Sequence, residues 1–111
     1  MLIASPLGAN ERLSVKVTPA VCFSPANLIV RATVEADPQN HKLEVSAESA
    51  DFYRSSAIQL DGESAPRTQQ FEFRSLPPGN YSVTVSLFDA KGRSRAQARQ
   101  DVQVIASGGG H

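Results

Sequence analysis

An all-β sandwich of about seven antiparallel strands in a Greek-key arrangement is the fold class that the sequence predicts. Short runs in which apolar and polar residues alternate recur along the chain, which is the period of a strand with one buried and one wet face. Clusters rich in Pro, Gly, Asn and Asp punctuate these runs and force the chain to turn. No segment keeps a helical period. Residues 93–101 pass as a polar helix by propensity alone, yet Ala96, Ala98, Val102 and Val104 hold the two-residue spacing of a strand.

Each element follows from local chemistry. Leu13, Val15 and Val17 alternate with Ser14, Lys16 and Thr18 as a first strand. Pro19 and Pro25 bracket the next apolar residues, which read as an irregular crossing or a short edge strand, because Pro has no N–H to donate to a ladder. Residues 27–36 carry Leu28, Val30, Ala32, Val34 and Ala36 on one parity, and residues 37–41 form a turn around Pro38 and Asn40. Leu43, Val45 and Ala47 make the next alternating set. Residues 48–56 are ambiguous, since Phe52 and Tyr53 stand side by side among polar neighbours. Ile58 and Leu60 imply a short strand ended by Asp61-Gly62, and a polar loop follows over residues 63–67. Phe71 and Phe73 share one face of a strand, Pro77, Pro78, Gly79 and Asn80 turn the chain, and Tyr81, Val83, Val85 and Leu87 line the strand after it. Asp89-Ala90-Lys91-Gly92 is a tight turn with Gly supplying positive φ, and a last strand runs to about residue 105.

Composition sets the class. A chain of 111 residues makes one domain, with 41% hydrophobic and 20% charged residues in ordinary globular proportion. Eleven basic residues balance eleven acidic ones, so no net field draws the chain to nucleic acid or an anionic membrane. No apolar run approaches the length of a membrane span. Cys22 is the single cysteine, which excludes an intrachain disulfide and a multi-cysteine zinc site. It reads as a small core residue, with a thiol bonded to another chain as the competing reading. The start, Met1-Leu2-Ile3-Ala4-Ser5-Pro6, lacks the basic region and long apolar stretch of an intact signal peptide. The expected organisation is a loose lead-in over residues 1–10, one sandwich domain over 11–105 and a linker or tag remnant over 106–111.

The corner Leu76-Pro77-Pro78-Gly79-Asn80-Tyr81, the following Ser82-Val83-Thr84-Val85 and the hairpin at residues 89–92 resemble immunoglobulin-like modules. They look most like the fibronectin type III and bacterial Ig-like groups, and the corner phrase is also similar to carboxypeptidase-regulatory and collagen-adhesin-B type modules. The resemblance implies a structural corner of Leu76, Gly79 and Tyr81, in which the tyrosine hydroxyl bonds back to the corner backbone. The chain departs from antibody-type domains in having one cysteine and no tryptophan, and it contains no Arg-Gly-Asp tripeptide. Such modules are mostly non-catalytic spacers, adhesion units or accessory domains, so the resemblance implies an extracellular, cell-surface or periplasmic setting.

Candidate sites are few. His41 sits in a turn beside Lys42, without a Gly-x-Ser-x-Gly elbow, and reads as an exposed turn residue rather than a catalytic base. Asp37, Asp89, Asp61 and Glu63 fall in loops, the first two at one end of an Ig-like topology, with Asn40 nearby. The spacing of a calcium loop is missing, and Lys91 and Arg93 repel a cation. Arg93, Arg95 and Arg99 share an outward parity in the last strand, a stripe that suits either an acidic partner or protection of a sheet edge. Phe52 and Tyr53 must point to opposite faces, and Phe88 points outward beside the inward Leu87, so these aromatics are candidates for a recognition surface. Asn80-Tyr81-Ser82 matches an N-glycosylation triplet. The expectation is a non-catalytic structural or interaction module without cofactor or metal, monomeric or weakly oligomeric, with a protein or glycan partner. The alternative is a carbohydrate- or small-ligand-binding β-sandwich that uses Phe52, Tyr53 and loop carboxylates.

Overall fold

Runs of alternating residues become strands whose apolar sides must cover one another, and here they do so as two stacked sheets. The computed structural model describes residues 13–107. Its strands are β1 (Leu13–Thr18), β2 (Val21–Phe23), β3 (Ala26–Val34), β4 (Lys42–Glu48), β5 (Tyr53–Gln59), β6 (Thr68–Leu76), β7 (Gly79–Phe88) and β8 (Ser94–Ile105), with one short 3-10 turn at Gly62–Ser64. The expected lead-in over residues 1–10 and the glycines of the expected tail lie outside the described residues.

One sheet has the order β1-β3-β6 and the other β2-β8-β7-β4-β5. The segment between the two prolines is an edge strand, which brings the number of described strands to eight. Neighbours are antiparallel except β2, which runs parallel to β8 with Val21 opposite Gln103 and Phe23 opposite Ile105. The chain therefore changes sheets between β1 and β2. Residues 48–56, ambiguous by pattern, divide into a turn and a full-length β5, whose ladder with β4 pairs Glu48 with Tyr53 and Lys42 with Gln59. Leu60, expected within that strand, follows it and is buried.

The core lies between the sheets. Leu28, Val30, Ala32, Phe71 and Phe73 from the smaller sheet join Leu43, Val45, Ala47, Val83, Val85 and Leu87 from the larger in a single buried cluster. Each such branched or aromatic side chain contributes about 1.5–3 kcal/mol relative to exposure. Both open sides of the sandwich are closed by a polar side chain on inward parity. At one side Gln100 of β8 reaches β1, accepting from the Val17 N–H at 2.9 Å and donating to the Val17 carbonyl at 3.0 Å. Its amide thus replaces a strand partner for that residue. At the other side Arg54 of β5 donates to the Arg74 carbonyl of β6 at 2.7 Å.

Candidate functional site

The turn between β6 and β7 is built as a locked corner. Leu76 is fully buried, and the Tyr81 hydroxyl donates to the Pro77 carbonyl at 2.7 Å. Just before the corner β6 bulges: Ala26 pairs with Leu76 and Leu28 with Phe73. Ser75 takes up the extra length in a left-handed conformation, φ 60°, and its N–H is held by the Asn27 side chain at 3.0 Å. A Cβ on Gly79 would come within 3.2 Å of Ser49, so the approach of the preceding hairpin turn favours the smallest residue there. Phe52 turns inward, its ring 6.2 Å from that of Tyr81 in an edge-to-face arrangement, and the Arg54 guanidinium lies 5.0 Å above Phe52. Phe52 is half-buried packing around the corner and leaves the candidate recognition surface. Burial raises the Tyr81 pKa, while the Ser49 hydroxyl and the Arg54 charge pull it back.

The loops carrying Asp37, Asp89 and His41 do meet at one end, around a cleft of about 440 Å³ over Leu60. Their charges are spent locally. Asp89 Oδ1 accepts from the N–H groups of Lys91 and Arg93, both at 2.9 Å, and Arg93 Nε meets Asp89 Oδ2 at 3.1 Å. The Arg93 backbone N–H is the main cause of a lowered Asp89 pKa; desolvation opposes it, and the Lys91 N–H and the Arg93 charge add to the lowering. Arg95 binds the side chains of Asn40 and, at 3.2 Å, Asp37. Asn40 in turn is buried and donates to the Glu35 carbonyl at 2.9 Å. Among the described residues no group of His, Cys, Asp and Glu side chains is gathered closely enough to hold a metal ion.

The outward stripe of arginines does not form. Leu87 pairs with Ala96 but Phe88 with Ser94, so Arg95 is the extra residue of a β-bulge, and its side chain is re-aimed onto the loop between β3 and β4. Arg93 precedes β8 and belongs to the hairpin turn. Arg99 alone remains on the outer face, 3.7 Å from Asp101, with both side chains largely in solvent. Phe88 is half-buried on the same face beneath the Lys42 ammonium, 5.0 Å from the ring centre.

The outer face of the larger sheet is polar along its central strands and presents its large apolar side chains at its two edges. Val21, Phe23, Tyr53 and Ile105 are the large hydrophobic side chains exposed among the described residues, with Phe23 at 64% and Tyr53 at 61%. All belong to β2, β8 or β5, and their parity is opposite to that of the buried Val104 and the core-packed Cys22. Cys22 is only half-buried, because a three-residue edge strand cannot cover both its sides. Val21 and Phe23 escape a reading by pattern, although their shared parity about Cys22 was the available signal. Beside Val21 lies a second cleft of about 440 Å³, into which Asn80, Ser82, Asp101 and Gln103 project from facing positions of β7 and β8.

No family model matches the sequence, and no curated protein matches it. Among solved structures the chain is similar to part of a family 76 glycoside hydrolase from a bovine Bacteroides thetaiotaomicron strain, with a TM-score of 0.58 and 12% identity over 82% of this chain. The match covers 20% of that longer chain. The chain is also similar to the CARDB domain of a Pyrococcus furiosus protein solved in complex with di-metal ions, with a TM-score of 0.53, 16% identity, and coverage of 86% of this chain and 93% of that one. At such identities the likeness concerns the fold. It is that of an Ig-like β-sandwich.

Proposed function

We propose that the chain is a non-catalytic interaction module of a secreted or cell-surface protein, working by rigid presentation of the outer face of its five-stranded sheet. The carrying observation is the asymmetry of the two outer faces: Val21, Phe23, Tyr53 and Ile105 all stand on the larger sheet. Val21, Phe23 and Ile105 are grouped where β2 joins β8, with Tyr53 on the opposite edge strand, and exposed aromatic and branched residues on a rigid face are the usual material of protein contacts. The local pairing of Asp37 with Arg95 and of Asp89 with Arg93 supports the same reading, because groups held this way brace the loops of a rigid module. Within the Ig-like folds we favour the fibronectin type III-like and bacterial Ig-like groups. Retention of β5 beside β4 supports this choice over the constant-type antibody layout, where the equivalent strand lies in the opposite sheet.

A second reading, a carbohydrate-binding sandwich, is favoured by the cleft beside Val21. Amides, a hydroxyl and a carboxylate line it next to an apolar wall, the combination that sugar hydroxyls and C–H faces require. A glycan array together with a broad hydrolase panel tests both readings. The module reading expects no turnover, and no saccharide signal that is lost in Tyr53→Ala or Asn80→Ala. Saturable glycan binding abolished by either variant installs the second reading, and turnover overturns both.

A further inference from the structure

The open edges of the two sheets are not equally guarded. β2 is three residues long and stands between Pro19 and Pro25. On β1 the outward N–H and C=O of Val17 are already taken by Gln100, and β6 is interrupted by its bulge, carries the Glu72–Arg74 ion pair and has its Arg74 carbonyl taken by Arg54. β5 differs. It runs seven residues without proline, with an unbroken ladder to β4, and its centre is the short, exposed series Ser55-Ser56-Ala57. Because an unguarded edge offers a row of free backbone donors and acceptors, it is a template for another strand.

The residues that carry the free groups can be identified. The Ser49 N–H donates to the Phe52 carbonyl and the Leu60 N–H to the His41 carbonyl, each at 2.8 Å, at the two ends of the β4–β5 ladder. Hydrogen-bonded pairs alternate along an antiparallel ladder, so the even-numbered residues of β5 face β4. Tyr53, Ser55, Ala57 and Gln59 therefore turn their N–H and C=O groups away from the sheet.

We propose that β5 is a self-association edge, at which two copies of this chain pair antiparallel across a two-fold axis at Ser56 and merge their larger sheets. Centred there, Tyr53 faces Gln59 of the second copy and Ser55 faces Ala57, so every outward backbone group of β5 meets a partner. The Ser56 pair is of the non-hydrogen-bonded kind, in which Cα atoms approach to about 4.5 Å, and a short side chain fits that spacing. Arg54 is the one charge on the strand; it faces Ile58 of the second copy rather than another arginine. Its guanidinium stays on its own Arg74 carbonyl and Phe52 ring. Glu48 beside Tyr53 and Lys42 beside Gln59 fall in one row of the merged sheet, with opposite charge. The three-stranded sheet is narrower than the five-stranded one, which leaves β5 accessible. A two-fold uses the same edge on both copies, so the assembly closes as a dimer.

Sedimentation equilibrium on the full chain from micromolar to millimolar concentration tests the proposal. The mass should rise toward twice the 11.9 kDa of one chain. Ala57→Pro deletes an outward N–H and leaves the bonds to β4 intact, whereas Ser56→Lys sets two ammonium groups at the axis. Both are expected to stay at monomer mass with an unchanged β-sheet circular-dichroism spectrum. In a Cys22→Ser background, Ser56→Cys should oxidise to a disulfide-linked dimer and Ser55→Cys should not, because position 56 alone faces itself. This pair decides the matter should the other variants misfold. Monomer mass throughout with no Ser56→Cys dimer overturns the proposal. So does a dimer that survives Ala57→Pro and Ser56→Lys, or equal crosslinking at positions 55 and 56. A strictly monomeric chain leaves the module reading standing, since Val21, Phe23 and Ile105 lie at the opposite edge of the sheet.

Discussion

Tyr81 is the residue on which the corner turns. It is buried, and its hydroxyl is the donor for the Pro77 carbonyl at 2.7 Å. Tyr81→Phe leaves that carbonyl without its donor and should lower the unfolding free energy by about 1–3 kcal/mol, measured by urea denaturation. Burial raises the Tyr81 pKa above its ordinary 10.0, so the unfolded chain gives up this proton more readily than the folded one. The resulting stability is complete below pH 10.0 and is lost as the pH climbs through the folded value. Tyr81→Phe should abolish that component of base denaturation. Asp89 works with the opposite sign. Its pKa is lowered from 3.8, chiefly by the Arg93 N–H, so its contribution is present above that pH and is lost as the pH falls through the folded value. Asp89→Asn should flatten the acid side of a stability-against-pH curve. Of these two residues, Tyr81 stood out in the sequence through the Leu76-Pro77-Pro78-Gly79-Asn80 phrase that precedes it. The ring of Phe52 against it did not, since no local spacing links residues on different hairpins.

At the scale of elements, the recurring device is a polar residue placed where parity assigns a hydrophobe. Gln100 and Arg54 each face the interior at an open side of the sandwich, and each bonds the exposed backbone of the opposite sheet. Gln100→Ala is expected to cost about 1–3 kcal/mol and to speed hydrogen exchange at the Val17 amide above that of its strand neighbours. A neutral result in both measurements removes the bridge. The bulge at Arg95 is the counterpart at the top of β8. Without the extra residue Arg95 would point outward with Arg99; with it, the guanidinium supports the Asn40 turn. Arg95→Ala leaves the buried Asn40 Oδ1 without its donor and should cost about 1–3 kcal/mol in thermal or urea unfolding, with the loss concentrated in exchange protection of residues 37–41. Alternation fixed which residues of β8 face the core, but a bulge is invisible to alternation, because it consumes one residue without changing composition.

For the molecule as a whole, β1 pairs with β3, β3 with β6, and β7 with both β4 and β8, so several of the ladders join segments distant in sequence. Chain closure must precede the reward from such contacts, and stopped-flow refolding should fall in the millisecond-to-second range typical of β-sandwiches. Microsecond folding would contradict this topology. The same closure brings the exposed Val21 and Phe23 onto a face shared with Ile105, which they reach only through the parallel pairing of β2 with β8.

By itself the sequence determined most of the strands and their inward parity, the corner and the hairpin, because each of these depends on residues within a few positions of one another. The tertiary structure alone decided that Arg95 braces a loop, that Gln100 and Arg54 close the sandwich, and that β5 is left as an open edge. The physical reason is that a charge or an amide acquires its role from the partner it meets. Those partners come from strands that only the folded sheets bring together.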